Sequence, residues 1–383
     1  MIKINKSNLI ILLLSITFLV TSFNTIEFFL QKSLTQYTDW LINYQAGFVR
    51  RGFVGEVFYQ ISDLLNLRLD ILILVFIIFL YFSFYLNFYK IIRNIDIKII
   101  DLFIILSPLS FFYTAFEQKA SGRKEIVFFY LLSFFILFVK KISPIKQIAV
   151  ITIFTAITTL THSGLIFYNI YFLLLFVCLN YQLGFKKNII LLSPVFFSNL
   201  VILFLISFNS TFDQSDLNLM CQSIEEYLPN CGNGDYINTL TWGLHNNFEG
   251  NKKLWFSINY FIFYLFNFIF CFGFFLYSSN KSKIKNLNYI YTIIICLIPS
   301  LPLYFIGADY GRYLHISYIS SILIYYFLLR ENIVYRENIA INFRKIIIIP
   351  LLFFYSFTWT VPHCCNDGKP KFNFRNMKNI INN

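Results

Sequence analysis

The sequence predicts an all-α polytopic membrane protein whose helices cross a bilayer about eleven times. Three observations carry this reading. Of 383 residues, 57% are hydrophobic and 13% are charged, whereas about a quarter of a soluble domain is charged. The mean hydropathy of +0.64 means more apolar surface than a soluble fold of this length can hide. Apolar runs also recur from Asn8 to Val361, interrupted by only one long polar interval.

A helix needs about 20 apolar residues to cross the hydrocarbon core, and spans are predicted at 8–25, 69–89, 99–116, 126–139, 147–160, 163–180, 188–207, 254–278, 288–306, 316–330 and 346–361. Residues 1–361 form a single membrane domain on this reading, and 362–383 form an extracytoplasmic tail. The first span follows Lys3 and Lys6 and lacks a small-x-small cleavage site, which makes it a retained anchor. The tract 147–180 is divided at Thr161-His162-Ser163-Gly164, because a polar, flexible break is costly at mid-bilayer. One tilted helix there would reverse the side of everything after it.

With the N-terminus in the cytoplasm, loops 90–98, 140–146, 181–187, 279–287 and 331–345 lie inside, and together with the N-terminus and Arg330 they hold more than half of the 31 Lys and Arg residues. Of the 19 acids, only Asp96, Asp101, Glu331 and Glu337 fall on that side. The outer loops are then 26–68, 117–125, 208–253 and 307–315. A net charge of +12 would raise nucleic acid as a partner of a soluble protein, but here the cations belong to membrane loops and no nucleic-acid partner is predicted. Cys221 and Cys231 flank a Pro229-Asn230 turn and suit a disulfide in an oxidising compartment, while Cys178, Cys271 and Cys296 lie in spans as packing residues. His363-Cys364-Cys365 has no second ligand pair at a zinc-like spacing, so no metal site is assigned. The abundance of Phe, Ile, Asn, Lys and Tyr is the mark of an AT-rich genome, and the 21% aromatic content is read first as composition.

The first outer loop carries Asp39-Trp40 and then Gly47-Phe48-Val49-Arg50-Arg51-Gly52-Phe53-Val54-Gly55-Glu56. Two arginines bracketed by glycines and flanked by apolar residues describe an interfacial or re-entrant segment. Glycine admits close backbone approach, and guanidinium forks match phosphate oxygens. The alternative is an amphipathic helix whose arginines snorkel to lipid headgroups. In the second loop, Glu117-Gln118-Lys119-Ala120-Ser121-Gly122-Arg123-Lys124-Glu125 compresses five charges between two spans. It is either a solvated hairpin or the rim of a polar cavity. Asp309, Arg312 and His315 recur every three residues and share a helix face, as a structural ion pair or a site wall. His162 and His363 lie at outer span ends, where a lone histidine is more often a hydrogen-bonded structural residue than a base. The inner loops show no comparable cluster, and the spans show few polar residues at mid-depth.

Guanidiniums at the outer surface, with acids and histidines beside them, suit an anionic lipid substrate, and a polyprenyl-diphosphate-linked oligosaccharide fits. Arg50, Arg51, Arg123, Lys124 and Arg312 would hold the diphosphate, with Glu56, Glu125, Asp309, His315 and His363 lining the site, and Asp39 or His162 would take the proton of an acceptor hydroxyl. Arg312, oriented by Asp309, is expected to share one anion site with Arg50 and Arg51. No nucleotide-binding loop is present, and a sugar already activated by its lipid diphosphate needs none. No cofactor is predicted, and a divalent metal is left open.

The set Gly-Phe-Val-Arg-Arg-Gly, Gly-Arg-Lys-Glu, Asp-Tyr-Gly-Arg and Val-Pro-His-Cys is similar to multispanning proteins of bacterial capsule and O-antigen gene clusters, often presumed to be repeat-unit polymerases. The first span followed by a long outer loop with Asp39 and an interfacial Arg-Arg-Gly segment resembles GT-C class glycosyltransferases. The resemblance implies glycosyl transfer or polysaccharide polymerisation at the outer face of a bacterial inner membrane, with membrane lipid and a lipid-linked glycan as partners. A lipid-oligosaccharide flippase or transporter, or a membrane acyltransferase, are the rival classes.

Overall fold

The computed structural model describes residues 6–33, 35–208, 212–232, 236–241, 258–284, 287–337, 345–363 and 373–374. In chain order its helices are α1 (Lys6–Leu30), α2 (Gln36–Leu41), α3 (Phe53–Leu65), α4 (Leu69–Ile92), α5 (Ile99–Ile105), α6 (Phe111–Phe116), α7 (Glu125–Phe138), α8 (Pro144–Thr161), α9 (Ile170–Leu179), α10 (Phe185–Phe208) and α11 (Gln214–Ser223). Then follow α12 (Ile258–Asn280), α13 (Tyr289–Leu297), α14 (Leu301–Ile306), α15 (Tyr310–Arg330) and α16 (Lys345–Phe357). Strand content among these residues is slight. The strands β1 (Ser282–Ile284), β2 (Leu287–Asn288) and β3 (Tyr335–Arg336) form an antiparallel sheet in the order β2-β1-β3, and β4 (Trp359–Thr360) pairs with β5 (Asn373–Phe374).

Among the described residues, six helical segments are long and apolar enough to cross a membrane: Asn8–Leu30, Leu69–Ile92, Pro144–Thr161, Phe185–Phe208, Phe261–Asn280 and Tyr289–Ile306. The chain is an all-α polytopic membrane protein. The other five expected spans depart from that pattern for identifiable reasons. Residues 99–116 are not one helix, because Pro108 has no N–H to donate and restricts Ser107 before it, so the chain leaves the helix between α5 and α6. α7, α9 and α16 are short. α15 is long but rich in serine and tyrosine. Nearly every side chain from Tyr310 to Leu328 is buried in protein, so it needs no lipid-facing apolar surface. Of the expected outer loop 208–253, residues 209–211, 233–235 and 242–253 lie outside the described set, as do the start of the eighth span, 338–344 and most of the tail, including Cys364 and Cys365.

The chain divides into two compact units, one of Met1–Thr21, Phe88–Ser121 and Phe248–Asn383, the other of Ser22–Asn87 and Gly122–Asn247. In the first unit the rings of Phe103, Phe274 and Tyr355 pack together, with Phe270 and Trp359 against them. The aromatics are thus core as well as composition. Where α5 breaks, side chains take over the backbone's hydrogen bonding: Tyr318 Oη donates to the Ile104 carbonyl at 2.8 Å, the His315 Nδ1 is 2.8 Å from the Leu109 carbonyl, and Ser107 Oγ accepts from the Leu109 N–H.

The absence of a charged cluster in the loops read as inner is corrected by this unit. Asp101, fully buried, accepts from Arg336 at 2.6 Å, from Tyr326 Oη at 3.2 Å and from the Lys98 N–H that starts α5. Arg336 also reaches the Asp96 carbonyl, and Lys283 pairs with Glu337 at 2.8 Å. The signal was hidden because Asp101 and Arg336 are far apart in sequence.

In the second unit, Phe128, Phe135, Phe154 and Phe172 interlock. The expected break at 161–164 is present: α8 ends at Thr161, His162 is extended, and a 3-10 turn over Ser163–Tyr168 leads into α9. A polar network joins the end of α8, the start of α9 and α10. Asn169 Nδ2 donates to Asn199 Oδ1 at 2.9 Å and to Thr159 Oγ1 at 3.1 Å, Thr158 Oγ1 donates to Asn169 Oδ1, and Asn199 Nδ2 donates to Thr155 Oγ1. Members of this network satisfy one another, tying the otherwise lipid-exposed α10 to α8.

Arg336→Met leaves the buried Asp101 without its cation and should cost about 3 kcal/mol or more of stability. The double replacement Asp101→Asn, Arg336→Met should recover much of that loss. Thermal unfolding in detergent measures both, and equal destabilisation of the single and double variants would contradict the pairing.

Candidate anion site

In the second unit, three loops far apart in sequence converge. α2 is wholly buried, and Trp40 Nε1 donates to the Gly122 carbonyl at 2.6 Å, bringing the first loop against the start of residues 122–125. The chain then turns back so that α3 begins against the end of α2. A Cβ at Gly55 would collide with the Ile42 carbonyl, so only glycine admits this approach. Glu56 closes the turn by accepting from the Tyr44 N–H at 2.8 Å and from Gln45 and Gln60 side chains. Its carboxylate is committed to loop structure.

The turn places Arg51 in the left-handed region, at φ 71°, an uncommon conformation for a residue with a side chain. Lys124 holds it there. The ammonium is fully buried, donates to the Arg51 carbonyl at 2.7 Å, lies 3.6 Å from Asp39 Oδ1 and sits over the Trp40 ring at 5.9 Å. Asp39, also buried, is 4.0 Å from the Arg51 guanidinium. Asp39 is therefore a counter-ion that positions Lys124 and Arg51.

The long loop supplies the remaining wall. Tyr37 Oη donates to the Tyr227 carbonyl, Asn43 Nδ2 donates to Ser223 Oγ, and the Tyr236 N–H donates to Thr38 Oγ1. Cys221 and Cys231 form the expected disulfide in this loop. The guanidiniums of Arg51 and Arg123 lie over the Tyr236 ring at 5.0 and 5.8 Å, and Arg50 Nη2 donates to the Thr239 carbonyl at 2.7 Å. Tyr236 and Thr239 were missed by sequence reasoning, since their loop carries no arginine and no motif. Arg123, Lys124 and Glu125 are buried.

Cations outnumber carboxylates in this cluster, and their electrostatics show it. Burial and then the neighbouring Arg51 push the Arg50 guanidinium down to about 10. Burial pushes the Lys124 ammonium down to about 8, with Arg51 adding to the fall and Asp39 opposing it. Arg50 and Lys124 are each destabilised by desolvation and by the neighbouring Arg51, a strain that a polyvalent anion relieves. His162 stands apart in role: its Nδ1 accepts from the Gly164 N–H at 3.2 Å, capping its own 3-10 turn.

Asp309, Arg312, His315 and His363 belong to the first unit, whereas Arg50 and Arg51 belong to the second. Asp309 pairs with Arg312 as the spacing predicted. His315 is buried, bound to the Leu109 carbonyl and stacked on Tyr113 at 4.5 Å. The Gly311 N–H donates to the His363 carbonyl, and a Cβ at Gly311 would collide with the Pro362 carbonyl, which is what glycine contributes to the Asp-Tyr-Gly-Arg motif. His363 Nδ1 donates to Glu117 Oε1 at 2.9 Å. Sequence alone does not show this contact of Glu117, because 246 residues separate it from its partner. Among the described residues, no three His, Cys, Asp or Glu side chains converge as a metal site. No family model, curated protein or solved structure matches the chain.

The depressed Lys124 has a consequence for stability. Between pH 8 and its ordinary value of 10.5 the unfolded chain keeps a proton that the folded chain releases, so stability should rise as pH rises through that window. Lys124→Met should flatten the rise. Denaturation midpoints at pH 7.5, 8.5 and 9.5 for both proteins provide the check, and an identical pH slope in the variant would contradict the assignment.

Proposed function

We propose that this protein is a membrane glycosyltransferase or polysaccharide repeat-unit polymerase. Its donor is a polyprenyl-diphosphate-linked glycan, used at the outer face of a bacterial inner membrane. The observation that supports this reading best is the partly buried set of Arg50, Arg51, Arg123 and Lys124, in which two guanidiniums lie over the ring of Tyr236. Such a set suits a diphosphate, whose charge exceeds what one guanidinium neutralises, and which as a leaving group gains negative charge in the transition state. Arg51 and Arg123 would contact the diphosphate, Arg50 would add charge from the long loop, and Lys124 and Asp39 would hold Arg51 in place.

The topology that goes with this reading has eleven crossings and a cytoplasmic N-terminus, with loops 26–68, 117–125, 208–253 and 307–315 outside. The disulfide between Cys221 and Cys231 supports an oxidising side for its loop. α3, with Val57, Leu64 and Leu65 exposed, suits the bilayer interface. A flippase would need polar groups available to a moving substrate at mid-span. The Asn169 and Asn199 network instead spends its hydrogen bonds internally, which favours the enzyme.

Arg51→Lys and Arg123→Lys keep the charge and lose the bidentate fork. Each should lower glycan transfer from a purified lipid-linked donor at least tenfold, at matched membrane levels. Arginines that merely snorkel would tolerate lysine. Near-normal transfer by both variants would therefore remove the main support for the reading.

A further inference from the structure

Between Glu125 and Asp213 the chain holds no acid, and its only Lys and Arg residues are Lys140, Lys141, Lys146, Lys186 and Lys187. All five belong to the second unit. They lie in the connections from α7 to α8 and from α9 to α10, or in the first turn of the helix that follows. A solvated protein face ordinarily intersperses both signs of charge, and in the first unit the exposed Lys283 is matched to Glu337 at 2.8 Å. The two connections of the second unit carry one sign alone.

Buried amides hold these connections together. Gln147 Nε2 donates to the Val139 carbonyl at 2.9 Å and to the Ile142 carbonyl at 3.1 Å, and Gln147 Oε1 accepts from Asn180 Nδ2 at 2.8 Å. Asn188 Nδ2 then donates to the Asn180 carbonyl at 3.0 Å. Gln147 and Asn188 are both buried. Their bonds fix the end of α7, the start of α8, the end of α9 and the start of α10 at one end of the unit, where all five lysines are exposed.

Large apolar side chains share that end. Ile145 and Phe185 are 75% and 76% exposed, each next in sequence to a lysine, and Tyr181 is exposed between the two connections' helices. On α10 the exposed Ile189 and Ile190 continue the apolar surface one turn further. Such side chains are costly in water, and lysine stems can cross apolar surface to reach a charged layer. A soluble polyanion would satisfy the ammoniums but leave Ile145 and Phe185 in water. The headgroup boundary of a bilayer that contains anionic lipid satisfies both.

We propose that the α7–α8 and α9–α10 connections form a binding surface for anionic phospholipid. The five ammoniums meet the negative headgroups, and Ile145, Tyr181 and Phe185 sit at the acyl boundary. This surface uses none of the residues of the anion site and does not depend on the glycosyl-transfer reading.

The test is native mass spectrometry of the full-length protein, equilibrated in detergent with equal amounts of phosphatidylglycerol and phosphatidylcholine and with soluble polyphosphate present. The wild type should retain phosphatidylglycerol about fivefold or more over phosphatidylcholine, the equivalent of one lysine's attraction to an anionic surface. That preference should shrink as salt is raised. Replacing all five lysines by Gln should remove most of it, whereas replacing all five by Arg should preserve it, because the surface requires charge beside the headgroups. If the Gln variant fails to accumulate, the salt dependence of the wild type decides. Equal retention of the two lipids by the wild type, a preference indifferent to salt, or an undiminished preference in the Gln variant overturns the proposal. Retention of polyphosphate with no lipid preference overturns it in favour of a soluble polyanion.

Discussion

The ammonium of Lys124, buried and donating to the Arg51 carbonyl, is the contact on which the second unit's charged cluster depends. Taking an ammonium out of water costs on the order of several kcal/mol, and Asp39, the Arg51 carbonyl and the Trp40 ring are what offset it here. The same contact keeps Arg51 in a left-handed conformation that an arginine rarely adopts, and that conformation accompanies its guanidinium's position over Tyr236. A residue that sequence alone leaves between a solvated hairpin and the rim of a polar cavity is therefore the post around which the first loop is wound. Asp39 is bound into the same contact as the carboxylate beside both cations.

The lipid environment accounts for much of the rest. An apolar helix hydrogen-bonds its own backbone, and the chain can leave a helix at membrane depth only where protein supplies partners. The break at Pro108 meets that requirement through Tyr318, His315 and Ser107. α15, the most enclosed helix of the first unit, carries its serines and most of its tyrosines inward, where Tyr318 and Tyr325 bond to neighbouring elements. Hydropathy marks helices that face lipid and under-reports those that face protein. That difference explains why the least apolar long helix is also the best buried.

Polar residues within the apolar tracts serve mainly as fasteners. Asn169 and Asn199 join α8, the turn after it and α10, while Asp101 and Arg336 join the start of α5 to the small sheet. Each group has its hydrogen bonds met inside its own unit, as a low-dielectric setting demands.

The sequence by itself determined that the chain is helical and membrane-embedded, where α8 ends, that Cys221 and Cys231 are close enough to join, and that Asp309 and Arg312 share a face. These follow from local quantities: the length of an apolar run, a polar break, and spacings of a few residues. Only the tertiary structure decided which cations share a site, that Tyr236 and Thr239 belong with them, that Asp101 meets Arg336, and that Glu117 meets His363. Those contacts join residues tens to hundreds of positions apart through loops whose paths are fixed by packing. A sequence read along its length carries the charges of such a site but not the distances between them.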